Sequence, residues 1–243
     1  MRLRPAPGGP EINRALSNQY VHGIVEILLH VLDQEFFRDV ALFLNTYNNR
    51  SVENFAESLN DLRTGAFPEA EGLFTVPGYV DELVRMLEAL YQQYDDRYVG
   101  YLRGAILERL AFQLISQRCL SGECFSNQLF LDNRGRKVTG QIDVGALSNN
   151  EYFVEGYECK IKAKGTSGLA SEDCDNLKAL VRAAHEEAYN VHVGVISFDS
   201  DNFVESRLEY YNAPSYIKAY GLDSIIDLCS LPQYIEPNDD IEN

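Results

Sequence analysis

Three strand-like segments joined by very short turns, then a helix and a fourth strand, constrain the fold of this 243-residue chain more than any other feature. The segments lie at about 125–131, 137–147 and 151–163, and only Asp132-Asn-Arg-Gly135 and Ser148-Asn-Asn150 separate them. Turns of this length join antiparallel neighbours, so the three segments predict a meander. A helix over about 172–189 follows, with Leu177, Leu180, Val181, Ala184 and Ala188 on one face, and Val191 to Phe198 reads as a buried strand. Strand, long helix and strand make a crossover unit, which sets its two strands parallel with a right-handed connection. An amphipathic helix over about 103–118 precedes the meander and carries Leu107, Leu110, Ala111, Leu114 and Ile115 as one stripe. The expected fold is α/β in the order α-β-β-β-α-β, a mixed sheet flanked by helices.

Residues 11 to about 98 predict helices. Ile24, Ile27, Leu28, Val31 and Leu32 recur at helical spacing, as do Val80, Leu83, Val84, Leu87 and Leu90 behind an entry at Pro77 and Gly78. Ser51 to Phe55 reads as a capped helix start and Thr64 to Pro68 as a break. The expected organisation is a helical region over 1–98, serving substrate selection or oligomerisation, an α/β domain over 99–228, and an acidic tail over 229–243. Within the second part, 202–227 reads as helical with a short strand near Tyr216.

A content of 45% hydrophobic and 24% charged residues excludes a disordered acidic chain and a collagen-like fibre. The N-terminal Met1 to Pro10 lacks the apolar run of a secretory signal, and Ile24 to Leu32, broken by Glu26 and His30, is too short for a bilayer of roughly 30 Å. No membrane association and a cytoplasmic location are expected. Five cysteines without a CxxC pair, and four histidines remote from them in sequence, predict free, mostly buried thiols rather than a zinc site.

The middle strands carry polar groups where a buried sheet should be apolar. Alternation along Gln141 to Leu147 sets Gln141 and Asp143 opposite Ile142, Val144 and Ala146. Along Tyr152 to Ile161 it sets Glu158 and Lys160 on one face, opposite Phe153, Tyr157, Cys159 and Ile161, with Glu155 on that opposite face as a structural residue. Two adjacent strands thus present two carboxylates and an ammonium to one spot. Burying such charges unpaired costs several kcal/mol each, so they pair with one another, with water or with a metal. Mg²⁺ suits the set, because it prefers oxygen ligands and is held by one or two carboxylates together with phosphates. Glu108, at the edge of the preceding helix's stripe, is either a third acid or an exposed helix-face residue.

Glu108 on a helix, Asp143 on a strand, and Glu158-Cys159-Lys160 on the next strand resemble the PD-(D/E)xK nuclease superfamily, the restriction-endonuclease-like fold. The resemblance covers about residues 101–200, and Ile142 stands where the motif has proline. It implies hydrolysis of phosphodiester bonds, in DNA rather than RNA, with Mg²⁺ or its substitute Mn²⁺ on Asp143, Glu158 and Glu108, and with Lys160 positioning the nucleophile. Endonucleases of restriction, phage defence and DNA repair share this fold. Gln141, Lys162, Lys164, Thr166, Ser167 and His185 are candidates for contacts with phosphate or backbone, and Arg134, Arg136 and Lys137 form a small basic turn. The bland alternatives are a soluble strand end for the two lysines and a partly buried, satisfied imidazole for His185. A second functional class, a catalytically silent protein of the same fold acting as scaffold or partner-binding subunit, predicts loss of one of Asp143, Glu158 and Lys160; all three are present.

The net charge of −16 opposes phosphate binding only until it is divided along the chain. Residues 1–98 hold 8 basic and 15 acidic groups, 99–200 hold 11 and 13, and 201–243 hold 2 and 9. Acidity belongs to the flanks, which are candidate surfaces for a homodimer or a basic protein partner. The central region is compatible with nucleic acid once a metal neutralises its acids.

Overall fold

The computed structural model describes residues 1–5, 10–32, 34–65, 78–119, 122–165 and 168–230. The expected features at Pro77, at 66–68, at Thr166 and Ser167, and in the tail from 231 onward lie outside the described residues. The chain divides into two compact units, Met1–Gly8 with Ala111–Asn243, and Gly9–Leu110.

The first unit is α/β and is built on a six-stranded sheet of β1 (Arg2–Pro5), β2 (Glu123–Leu131), β3 (Ile142–Ser148), β4 (Phe153–Lys160), β5 (Asn190–Ser197) and β6 (Ile217–Tyr220), in that spatial order. Strands β1 to β4 pair antiparallel, and β4, β5 and β6 pair parallel. The helices between the parallel strands are α7 (Ser171–Glu186) and α8 (Asp201–Tyr210), and a short 3-10 helix follows at Ile225–Cys229. The meander and the crossover expected from the turns are both present. Several boundaries differ. Residues 2–5, read from sequence as part of the helical region, form the edge strand, because Arg2 and Leu3 pair with Leu131 and Phe130. The second meander strand begins at Ile142 rather than 137, since Lys137 keeps only an isolated bridge to Leu131. The stretch 202–227 carries the expected helix as α8 and the short strand expected near Tyr216 as β6, and it ends in a 3-10 turn.

Apolar residues of β3, β4 and β5 meet α7 in one core that includes Phe130, Ile142, Val154, Leu177, Leu180 and Val195. Gly145 lets β3 lie close to its partner: a Cβ there would fall 2.2 Å from the Glu155 carbonyl oxygen and 2.6 Å from Phe125. Helix α7 stops at Glu186, with Ala188 left-handed at φ 59°.

The other side of the sheet holds buried polar residues. Tyr220 and His192 Nε2 hydrogen bond at 2.8 Å, and His192 Nδ1 is buried without a partner. Burial, then Arg118 and Lys218, pull the imidazole pKa down to about 4. A histidine lowered in this way stabilises the fold above its unfolded pKa and loses that contribution as pH falls toward the folded value. Wild type is expected to lose about 2 kcal/mol more than His192→Gln between about pH 7.5 and pH 5, from linkage alone. Urea unfolding at the two pH values reads the difference, and parallel slopes would contradict it.

The second unit is helical: α1 (Pro10–Leu16), α2 (Gln19–His30), α3 (Glu35–Thr46), α4 (Phe55–Gly65), α5 (Gly78–Gln93) and the first part of α6 (Asp96–Arg118). Helix α6 starts seven residues before the expected 103, and the unit division falls within it, between Leu110 and Ala111, rather than at 98. Helix α4 begins at Phe55 after a turn, not at Ser51, and left-handed Asn54 marks the change. Ile24, Leu28, Leu83, Leu87 and Leu90 are fully buried, as their spacing requires. Arg103 is 6% exposed and donates to the carbonyls of Leu44 (2.6 Å) and Asn45 (3.0 Å), which satisfies the C-terminal end of α3.

Candidate active site

Alternation along β4 sends Val154, Gly156, Glu158 and Lys160 toward one side, and Gly156 there abuts Leu180 of α7. Glu158 and Lys160 therefore emerge at the C-terminal end of β4, beside the first turn of α7. Asp143, the second residue of β3, reaches the same place: its Oδ2 accepts the Cys159 N–H at 2.8 Å, and its Oδ1 accepts from Gln141 Nε2 at 3.4 Å. Gln141 also donates to Asn127 Oδ1. Asn127 is left-handed (φ 52°) within β2, between the residues that pair with Ile142 and Val144, and its side chain begins an amide chain that ends on Asp143.

Lys160 Nζ lies 3.4 Å from Glu158 Oε2 and 3.1 Å from Asp173 Oδ1. Asp173 stands in the first turn of α7, where its Oδ2 accepts the Ala170 N–H at 2.7 Å. Two carboxylates thus contact one ammonium, and Asp143 acts on it through space. Glu158 is 2% exposed and Asp143 8%, and both carry raised pKa values, chiefly from burial. For Glu158, which is raised well above the carboxylate range, Asp143 adds to the effect and Lys160 opposes it. Burial alone would lower Lys160, but Asp143, Glu158 and Asp173 together hold it protonated, with its pKa raised.

Glu158 Oε1 is buried with no hydrogen-bond partner. An orphaned carboxylate oxygen, beside a second carboxylate and with negative charge in excess of the one ammonium, fits a hard divalent cation. Among the described residues no group of three or more His, Cys, Asp or Glu side chains is gathered closely enough to enclose a metal ion. An ion held by two carboxylates needs its remaining ligands from water and phosphate, as is usual for Mg²⁺.

The other expected site residues divide. Gln141 sits beside Asp143. Glu108 is half-buried on α6 within the helical unit. Beside Lys160 stands a further acid, Asp173, a residue not singled out from sequence. Its signal was present: an acid at the third position of a helix that opens eleven residues after the last residue of the strand. Lys162 and Lys164 are exposed and do not continue the alternation, because β4 ends at Lys160 and the Ala163 N–H turns to Asp199 Oδ2 at 2.6 Å. His185 is exposed in the last turn of α7, twelve residues and so about 18 Å along the helix from Asp173. It is neither partly buried nor beside the acids. The basic turn is exposed, with Arg136 paired to Asp132 at 2.6 Å. None of the five cysteines is in a disulfide, and against the mostly buried thiols expected, Cys174 is buried and the other four are half-buried.

Comparison of the sequence with protein-family models and with curated proteins gives no match. Among the described residues, no helix is long and apolar enough to cross a membrane.

Proposed function

We propose that this protein is a metal-dependent nuclease of the PD-(D/E)xK type that hydrolyses phosphodiester bonds in DNA. The observation that carries the reading is the convergence of Asp143, Glu158 and Lys160 at one strand end, with Glu158 Oε1 buried and unpartnered. Asp143 and Glu158 would hold Mg²⁺, with Mn²⁺ as a substitute. Bound there, the ion supplies Lewis acidity to a phosphoryl oxygen and lowers the pKa of its water. Lys160, kept protonated by the three acids, orients the attacking water through an N–H donor and offsets negative charge as the bond from phosphorus to the leaving oxygen breaks. The Cys159 N–H and Gln141 fix Asp143 in place.

Asp173 acts on this chemistry through Lys160 and is a positioning residue. Asp173→Asn is expected to lower turnover about 10- to 100-fold, the usual effect of removing a group that orients a catalytic one. It also removes a negative charge from the first turn of α7, worth about 0.3–1 kcal/mol, while the amide oxygen can still accept the Ala170 N–H. Asp173→Glu should recover part of the rate, and a pH–rate profile shifted in Asp173→Asn separates positioning from lost stability. An unchanged rate and profile would remove Asp173 from the site.

The direct test is a panel of plasmid, linear duplex, single-stranded DNA and RNA with Mg²⁺, Mn²⁺ or EDTA. Cleavage of DNA with either metal and none in EDTA is expected. Failure to cut any substrate under any metal would leave a silent scaffold of this fold as the better reading.

A further inference from the structure

The helical unit holds a cavity of about 320 Å³ lined by Arg14, Gln93, Tyr94, Arg97, Tyr98 and Tyr101. The three tyrosines follow helical spacing at the α5–α6 junction, with ring centroids 5.1 Å apart for Tyr94 and Tyr98 and 6.5 Å apart for Tyr98 and Tyr101. Arg14 lies over the Tyr98 ring at 5.2 Å and Arg97 over Tyr101 at 5.8 Å. The Tyr98 hydroxyl is buried and has no hydrogen-bond partner. Two acids share the rim. Asp95 is committed to the Tyr98 N–H at 2.8 Å, while Glu11 meets Arg97 at 3.4 Å with both side chains exposed, a contact weak enough for an anion to displace.

We propose that this cavity binds one unpaired nucleotide, its base against the tyrosine faces and its phosphate on Arg97; the inference rests on the nuclease reading for its ligand. Aromatic faces interleaved with guanidiniums are the pattern that holds single strands, because every base offers a π-face whatever its identity. The volume lies at the lower end of the roughly 300–1,000 Å³ of small-molecule sites. The Gln93 carbonyl oxygen can accept from a base edge, while its amide nitrogen donates to the Tyr20 hydroxyl at 2.8 Å. Residues 1–98 carry 15 acidic against 8 basic groups, so they lack the excess of cations that holds duplex along its length. The cavity therefore selects a displaced or frayed strand and gives the helical unit a role in choosing substrate.

Fluorescence anisotropy of the full chain in EDTA tests this with a labelled single strand and with the same strand in duplex. Tighter binding of the single strand is expected, with Tyr98→Ala and Arg97→Ala each weakening it about tenfold and Tyr98→Phe near wild type, as for other base-stacking platforms. The Arg97 side chain is 76% exposed, so its variant reports even where Tyr98→Ala fails to fold. Equal affinity in wild type, Arg97→Ala and Tyr98→Ala overturns the proposal. So does an acidic peptide that binds more tightly than the strand and is lost in the same variants, which would give the cavity to a protein partner. Binding is read without metal, so an absence of cleavage would sink the nuclease reading alone.

Discussion

Glu158→Gln is expected to abolish Mg²⁺-supported cleavage, by about a thousandfold or more, and at the same time to raise the melting temperature of the metal-free protein at neutral pH. The first effect follows because the change removes an anionic ligand and the charge stabilisation it organises at the reacting phosphate. The second follows from the environment of the carboxyl. Glu158 is 2% exposed, its Oε1 has no partner, and burial and the neighbouring Asp143 hold its pKa well above the ordinary carboxylate range. A carboxyl with a raised folded-state pKa contributes stability that is complete below its unfolded pKa and is lost as pH rises through the folded value. At neutral pH wild type therefore carries a penalty that glutamine, nearly isosteric and uncharged, relieves. Lys160 keeps Asp173 at 3.1 Å and the field of Asp143, so it is not stranded. Mg²⁺ should raise the melting temperature of wild type, by binding the folded state alone, and leave Glu158→Gln unmoved. Thermal unfolding at neutral pH with and without Mg²⁺ checks both statements; a variant less stable than metal-free wild type would show that the glutamate serves structure.

Arg118→Ala is expected to destabilise the sheet unit by about 3–5 kcal/mol, the cost of leaving a buried charge without its counter-ion. Arg118, the last residue of α6, is 7% exposed at its side chain and pairs with Glu155, which is fully buried on β4. Its Nε also donates to the Leu228 carbonyl at 2.6 Å, which ties down the 3-10 helix, and Tyr157 donates to Glu155 Oε2 at 2.9 Å. Removing the guanidinium leaves the Glu155 carboxylate buried without its counter-ion, beside the Tyr157 hydroxyl. The pair itself is a different matter from either half: Arg118→Met with Glu155→Leu replaces two desolvated charges by apolar volume and should cost less than Arg118→Ala alone. Urea unfolding of both proteins decides it. A double variant less stable than the single one would mean that the ion pair contributes more than its desolvation costs.

These two carboxylates show what sequence resolves and where it stops. Alternation along β4 separates Glu155 from Glu158 correctly, because period two is a local property of the strand. The same rule extrapolated past Lys160 fails for Lys162 and Lys164, since the strand ends where the Ala163 N–H finds Asp199, a partner 36 residues away. The element order was legible because turn residues and helical stripes are local. Strand β1 was not, because four residues containing two arginines and a proline carry no pattern of their own and take their conformation from β2. Asp173 could be read as a helix-capping acid, but its approach to Lys160 depends on how α7 docks on the sheet. His185 shows the opposite fault: it lies beside an apolar stripe, and a stripe says which face is buried without saying what stands opposite it.

Cleavage of supercoiled plasmid by the full chain, followed over time with Mg²⁺ and with EDTA, beside Lys160→Met, is the measurement that bears most directly on the assignment of Asp143, Glu158 and Lys160 to phosphodiester hydrolysis. Nicked or linear product from wild type with Mg²⁺, none in EDTA, and a rate lowered at least a hundredfold in Lys160→Met, as for removal of a group that stabilises the transition state, is the predicted result. Cleavage that persists in EDTA, or that proceeds equally in Lys160→Met, would contradict it.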